Sequence, residues 1–459
     1  MNRAERLTIA VTGAALFMVV LDNLIVASTL PAIQRSLGAS LGSLEWVLNA
    51  YILAFAVLML TAAALGERYG RRRVFTAGVV LFTVSSAAGA LAPNAGTLIV
   101  ARAIEGIGGA VIMPLTLTMM TAAFPAERRG AALGIWSAIS GFGVALGPVA
   151  GGLLTDTLSW HWIFWVNVPI GIAVALAAPR VLAEGRGTFE RLDLTGVVLV
   201  SGGLLGVVYA TVRGPAAGWG SASTLLAYAA GTALLAGFLW WERRSAHPMM
   251  PLRLFRSRAF SSANVANFLL AFAMFAGFLM LIQFLSHARG EGPLSVGLHT
   301  LWWTAMPMVV APYAGRLGRR VAPAAIAAGG LLLVATGMLA LALLATPGVT
   351  LAELAPAMVA IGVGIGLVIP NIAAAALAAV PPADIGKASG ILSTSRQVGS
   401  VAGVSVGLAI FQATCGAGAG GVSDGVSAVL IVAAVAALAG ALAAGVRWTW
   451  PVRAEAAVA

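Results

Sequence analysis

The sequence predicts an all-α integral membrane protein, and three observations carry that prediction. The 459 residues are 60% hydrophobic and only 9% charged, against about 25% charged in a soluble domain. The apolar residues gather into runs of about 20, the length at which a helix crosses a bilayer. With the N-terminus placed inside, 22 of the 27 Lys and Arg fall in cytoplasmic segments, Arg35, Arg213 and Arg289 fall outside, and Arg102 and Arg396 lie within spans. That distribution obeys the positive-inside rule.

Fourteen spans are expected, near 8–30, 46–65, 74–93, 97–119, 130–155, 162–182, 193–212, 222–241, 259–286, 294–314, 321–346, 354–379, 387–412 and 425–446. An even count puts both termini in the cytoplasm. The formal net charge of +11 is then a topology signal, and no nucleic-acid partner is expected. The single Cys415 excludes an intramolecular disulfide and a thiolate metal cage. With four scattered histidines, neither a metal nor a cofactor is expected. Two arginines precede a first apolar run that contains Asp22, and no small-residue cleavage site follows. This reads as a retained span, not a cleaved signal peptide.

In the first span, Asp22 lies well inside the apolar run beside Asn23. Desolvation favours the neutral form of a carboxyl, so Asp22 is a candidate proton carrier. Glu45 and Trp46 open the second span at an interface. A short loop follows, with Glu67, Arg68, Gly70, Arg71, Arg72 and Arg73. Gly70 can take the positive φ of a tight turn, and Glu67 can pair with an arginine or a helix N-terminus.

The fourth span carries Arg102 and Glu105 in an otherwise apolar stretch. Three residues apart on a helix, they share a face. A charge at the centre of a membrane helix costs about 2.5–3.5 kcal/mol, and charges that persist there usually line a cavity or an ion path. The fifth span has Gly143, Gly147 and Gly151, one every four residues, with Pro148 and Gly152. The stripe suits close helix approach, and the proline invites a kink. Span six opens with the aromatic run Trp160–Trp165 and a polar Asn167. Residues 183–192 read as a charged connector.

In the later half, Ala314–Arg320 is a degraded copy of the 65–73 loop without its carboxylate, placed where an internal repeat requires it. Arg396 falls within or near a span. His299 is expected to be structural, and Trp302 and Trp303 to pack or face lipid. The chain therefore divides into a six-helix bundle over 1–182, connectors and two extra helices over 183–258, a second six-helix bundle over 259–446 and a cytoplasmic tail over 447–459.

These motifs, in this order, resemble the major facilitator superfamily, and within it the fourteen-helix drug:proton antiporter branch. The loop pattern G-x-L-a-D-R-x-G-R-R is matched at Leu65, Arg68, Gly70, Arg71 and Arg72, with Ala63 and Glu67 as departures. The pattern R-x-x-Q-G-x-G-A is matched at Arg102, Gly106 and Gly108, with Glu105 replacing glutamine. The antiporter pattern G-x-x-x-G-P-x-x-G-G is met in full. The branch's first-helix pattern is matched at Leu21, Asp22, Ile25, Val26, Leu30 and Pro31, with Leu24 and Ala27 replacing its threonine and asparagine. Pro251–Arg256 and Arg396-Gln397 are similar too.

The resemblance implies a transporter and not an enzyme, working by alternating access between two bundles in the bacterial inner membrane as a monomer. It implies substrate:proton antiport of amphipathic or cationic small molecules, with Asp22 and Glu105 as candidate carriers and Arg102 as their partner. Asn23, Tyr51, Gln283, Asn371 and Arg396 are expected to line the cavity. A cationic substrate could compete for the same carboxylate as the proton. No G-x-x-x-x-G-K-[ST] nucleotide loop is present, so a proton gradient is the economical energy source. An exporter of an endogenous metabolite or lipid, or a proton-coupled importer, remains open at this point.

Overall fold

The computed structural model describes residues 3–125, 129–185, 193–245, 250–318, 320–381, 384–415 and 418–445. Residues 186–192 of the connector, Arg319, the tail over 447–459 and the side chains of Glu45, Glu67 and Arg316 lie outside the described residues. The helices are α1 Arg3–Leu37, α2 Leu41–Tyr69, α3 Arg71–Ala90, α4 Ala95–Ala122, α5 Arg129–Thr157, α6 Trp162–Trp165, α7 Asn167–Val181, α8 Leu194–Ala217 and α9 Ala222–Arg244. The later half adds α10 Arg258–Gln283, α11 Pro293–His299, α12 Leu301–Thr304, α13 Met306–Leu317, α14 Pro323–Leu344, α15 Leu351–Ala378, α16 Ile385–Thr414 and α17 Gly418–Gly445.

Among the described residues, twelve helical stretches are long and apolar enough to cross a membrane. The apolar stretches of α2 and α8, Trp46–Met59 and Thr195–Thr211, are shorter. Length and composition thus support twelve crossings outright and leave two of the expected fourteen on shorter helices. Large apolar side chains such as Val84, Leu226, Leu343 and Leu442 face outward, while Asp22, Arg102, Glu105 and Asn167 are fully buried. That inversion is what a lipid-facing surface around a polar interior requires.

Helix starts follow local capping chemistry. The Asn94 carboxamide oxygen accepts from Thr97 N (2.9 Å) ahead of α4, and Thr350 with Glu353 forms a capping box on α15. Spans six and ten, expected as continuous, are broken, span six at Val166 and span ten at Thr300 and Ala305, and a proline explains the breaks at Val166 and Ala305. Pro169 has no N–H for the Trp165 carbonyl, and Pro307 none for the Trp303 carbonyl. By contrast α5 runs unbroken through Pro148.

The glycine stripe of α5 lies along α1. A Cβ added at Gly143 would sit 3.0 Å from Val20, one at Gly147 would sit 2.8 Å from Leu24, and one at Gly151 would strike Ser28. Gly152 is buried beside them. The later half repeats this device. On α16, Gly399, Gly403 and Gly407 meet Phe268, Phe272 and Ala276 of α10, again four residues apart on both helices. This pairing of striped helices is a clearer internal repeat than the degraded loop at Ala314–Arg320.

One large core joins α10, α14, α15 and α17; a second spans the first half, α8, α9 and Val401 of α16, and two smaller ones lie in the first half. The hairpin of α8 and α9 packs through α8 on both α2 and α16, with Ser201 Oγ donating to the Val57 carbonyl at 3.3 Å. It therefore bridges elements of the two halves. At the end of the bundle away from the N-terminus the halves also touch. Leu294 N donates to Asp156 Oδ2 at 3.2 Å, and Gly297 packs on the Pro148 carbonyl.

Candidate functional site

Arg102 is the centre of a buried polar cluster. Its Nη1 donates both to Asp22 Oδ2 at 2.6 Å and to Glu105 Oε2 at 2.7 Å, with all three side chains at most 1% exposed. Its Nε reaches the Val47 carbonyl at 3.4 Å, and the Tyr51 ring centroid lies 4.2 Å from the guanidinium carbon. Helix α4 can deliver this arginine so deep because its glycines remove the bulk around it. A Cβ at Gly106 would strike the Tyr51 carbonyl, and one at Gly108 would sit 2.8 Å from Phe82 N.

The remaining shell comes from α3 and α7. Asn167 Nδ2 donates to Asp22 Oδ1 and to Ser86 Oγ, each at 3.1 Å, and Ser86 Oγ donates to the Phe164 carbonyl at 3.1 Å. Asp22 therefore has a ligand on each oxygen. Asn167 stood out in the sequence as polar in an apolar run; Ser86 did not, because a serine beside Thr83 and Ser85 in a membrane helix carries no signal of its own. With both carboxylates ionised, the cluster holds one cation and two anions. A buried excess charge is expensive, and a single proton brings the cluster to neutrality.

Beside this cluster, between the halves, lies a cavity of about 190 Å³. Its walls are apolar, with Phe55, Trp136, Met274, Phe278 and Trp303 prominent, and its polar lining includes Asn23, Ser140, Arg396 and Gln397. Pockets for drug-sized ligands run to about 300–1,000 Å³, so this cavity is smaller than such a pocket. The carboxylates of Asp22 and Glu105 are not part of the lining. Direct competition between a substrate and the proton for one carboxylate is therefore absent in this arrangement.

Of the five residues expected to line the cavity, two do so, Asn23 and Arg396. Tyr51 is instead fully buried under Arg102. Asn371 turns its amide back to the Leu367 carbonyl at 2.8 Å, beside Gly318. Gln283 closes α10 where the chain enters a π-helical turn over Phe284–Ala288 and is not part of the lining. Trp303, expected to pack or face lipid, is 2% exposed and packs in the core of the later half against Phe278, and it lines the cavity as well, while Trp302 is 46% exposed.

The loop between α2 and α3 forms a second constellation. Gly70 has φ 105°, in the region that favours glycine. Arg71 N donates to the Gly185 carbonyl at 2.9 Å, and Arg72 N donates to Glu184 Oε1 at 3.1 Å. The Arg72 and Arg73 side chains approach Glu184 Oε2 at 3.5 and 3.8 Å. Arg72 Nη1 also donates to the Pro179 carbonyl at 3.2 Å. Glu184 thus places an anion at the N-terminus of α3, where the helix dipole favours one. The Glu67 side chain is outside the described residues, and Arg68 is exposed beside the Tyr69 ring. Glu184 lies more than a hundred residues along the chain, which hid it from motif reading. Farther on, Arg253 Nη2 donates to Asp384 Oδ1 at 3.2 Å and ties the Pro251–Arg256 segment to the start of α16.

Residues 12–404 match the model of the Major Facilitator Superfamily. The chain is 37% identical over 413 residues to the multidrug resistance protein Stp of Mycobacterium tuberculosis, covering 88% of this chain and 76% of that one. It is 35% identical over 402 residues to the tetracenomycin C resistance and export protein of Streptomyces glaucescens, covering 87% and 74%. Its fold superposes on the crystal structure of the POT family transporter PepTSo with a TM-score of 0.70, at 15% identity and 97% coverage of each chain. A family match across most of the chain, an all-helical fold and a polar centre inside an apolar shell agree: the chain belongs to the Major Facilitator Superfamily, a family of membrane transporters and not of enzymes.

Proposed function

We propose that the chain exports amphipathic small molecules such as drugs, dyes or antibiotics across the bacterial inner membrane, in exchange for protons, by alternating access. The observation that carries the exchange is the buried cluster of Arg102 between Asp22 and Glu105. It holds one more anion than cations, so one proton neutralises it and its release restores a charge. The relatives support the direction of transport, since they are named for multidrug resistance and for resistance to and export of tetracenomycin C.

In this reading both termini are cytoplasmic and fourteen helices cross the membrane, the two shorter apolar stretches of α2 and α8 included. The bundles over 1–182 and 259–446 rock about the cavity as a monomer, with the α8–α9 hairpin of 183–258 between them. The α2–α3 loop, held by Glu184, latches the cytoplasmic side, while the contacts of Asp156 and Gly297 close the other. Because the carboxylates stand behind the cavity wall, the proton acts on the substrate through α1, whose Asp22 faces the cluster while Asn23 faces the cavity.

The test is a susceptibility and dye-efflux panel in cells with and without the protein. Protein-dependent efflux should raise resistance and collapse when an uncoupler removes the proton gradient. Efflux that survives the uncoupler, or protein-dependent accumulation, refutes the proposal.

A further inference from the structure

The charge that faces the substrate cavity is a cation with no partner of its own. Arg396 on α16 lines the cavity, and it makes no hydrogen bond or ion pair to any described residue. No acidic side chain lines the cavity among the described residues. The acids nearest in concept, Asp22 and Glu105, are already committed to Arg102 on the far side of α1. Arg102 and Arg396 therefore differ in kind: one is matched inside the protein and the other is left open toward the cavity.

Leaving a guanidinium unpaired at an apolar wall is unfavourable unless something else pairs it. Its planar fork of donors suits a carboxylate, sulfonate or phenolate oxygen. The other polar groups of the wall are neutral and can donate to an anion. Ser140 Oγ is buried without a hydrogen-bond partner. Gln397 and Asn23 add carboxamides, each with N–H donors, to the lining. The rest of the wall is aromatic or thioether, with Phe55, Trp136, Met274 and Trp303, surfaces that take a flat apolar ring system.

We propose that the cavity selects amphipathic organic anions, an aromatic body carrying one acidic group, with Arg396 as the residue that binds the acidic group. This rests on the exporter reading of the cavity and fixes the charge of its substrate. Sequence reasoning left cationic amphipaths among the expected substrates; the lining favours the opposite charge, because a cation entering here meets a guanidinium and no carboxylate.

The test uses the full chain in lipid nanodiscs and two xanthene dyes of similar shape and opposite charge, fluorescein and rhodamine 6G. Trp136 and Trp303 line the cavity, so tryptophan quenching, corrected with empty nanodiscs, reports occupancy. Fluorescein should bind at least tenfold tighter than rhodamine 6G. Arg396→Gln should reduce that preference to about twofold or less, and Arg396→Lys should keep an intermediate preference, since it retains the charge without the planar fork.

The wild-type preference needs no substitution, so a poorly folding variant does not block the test. Equal or tighter binding of rhodamine 6G, no saturable quenching by fluorescein, or an unchanged preference in Arg396→Gln overturns the proposal. Everted vesicles separate this from the broader reading. Proton-driven uptake of rhodamine 6G alone overturns the anion assignment and leaves export standing. Uptake of neither dye counts against export of such amphipaths, while the binding preference still decides the role of Arg396.

Discussion

The proton-coupling reading makes a sharp prediction for Asp22→Asn. Asp22 Oδ2 and Glu105 Oε2 lie 2.6 and 2.7 Å from the same arginine nitrogen, which places the two oxygens at most about 5 Å apart. At an effective dielectric constant of about 20, two unit charges at that distance repel by about 3 kcal/mol. That repulsion adds to the cost of burying an excess charge, and together they drive the cluster to take one proton when both carboxylates would otherwise be charged. Replacing Asp22 by the near-isosteric asparagine leaves Arg102 and Glu105 as a neutral pair and removes the demand. A driving free energy of about 3 kcal/mol corresponds to about a hundredfold in an equilibrium constant. The variant's cluster should therefore bind its proton about a hundredfold more weakly, and in proteoliposomes its pH-gradient-driven substrate accumulation should fall toward the level seen without a gradient. Counterflow, in which labelled substrate exchanges for unlabelled substrate with no gradient, should persist near the wild-type rate. Full gradient-driven transport would refute the assignment, and loss of counterflow together with accumulation would show that Asp22 acts structurally and not in coupling.

Other expectations follow from the same geometry. Glu105→Gln, which installs the residue of the family pattern, also leaves a neutral pair, Arg102 with Asp22; counterflow should persist while pH-gradient-driven accumulation falls, as read from uptake profiles against external pH, and unchanged profiles would make Glu105 a bystander. Gly147→Val should push α5 off α1, because a Cβ alone would already sit 2.8 Å from Leu24 Cβ. Overpacking of this kind costs about 1–3 kcal/mol and should appear as a lowered melting temperature in detergent together with loss of transport. At the opposite end, burial pushes Glu291 up, but hydrogen bonds from Arg289, Ser295 and His299 outweigh it and hold the carboxyl below the ordinary range. A depressed carboxyl stabilises the folded state above its unfolded value of about 4.3 and loses that stabilisation as pH falls through the folded value. Glu291→Gln should therefore flatten the fall in thermal stability below about pH 4, measured by melting curves across pH.

The parts of the site that motif reading reached were those where a residue is costly for its surroundings. Asp22, Arg102 and Glu105 stood out because each is a charge in an apolar run. The stripe of Gly143, Gly147 and Gly151 stood out because only close packing rewards a repeat of four. Which way a polar span residue turns was far less legible. Tyr51 and Asn371 sit in helices buried on several faces, so hydrophobic periodicity does not orient them, and both turned away from the cavity that Asn23 and Arg396 enter. Ser86 and Glu184 act through contacts with distant residues that no local pattern encodes. The breaks at Val166 and Ala305 were within reach, since Pro169 and Pro307 each remove a helical hydrogen bond, whereas the break at Thr300 has no proline to announce it.

The glycine-striped pairs show how the two functions are distributed over the repeat. In the first half α5 lies on α1, and in the second α16 lies on α10 with the same four-residue interval. Both striped helices face the cavity, α5 through Trp136 and Ser140 and α16 through Arg396 and Gln397. The helices they support differ. α1 carries Asp22 into the charged cluster, whereas at depth α10 offers only the neutral Asn264 and Asn267, bonded to the Phe260 and Leu392 carbonyls at 2.9 and 2.7 Å. The titratable group and the unpaired cavity cation thus belong to different halves. Successive helix residues point about 100° apart, so Asp22 and Asn23 let one helix touch the cluster, the cavity and the α5 stripe at once. On the proposed mechanism, a proton that alters how α1 is held changes the wall opposite Arg396. Coupling then travels as relative motion of two packed halves, an element with two arrangements that both ligands bias, without contact between the proton site and the substrate.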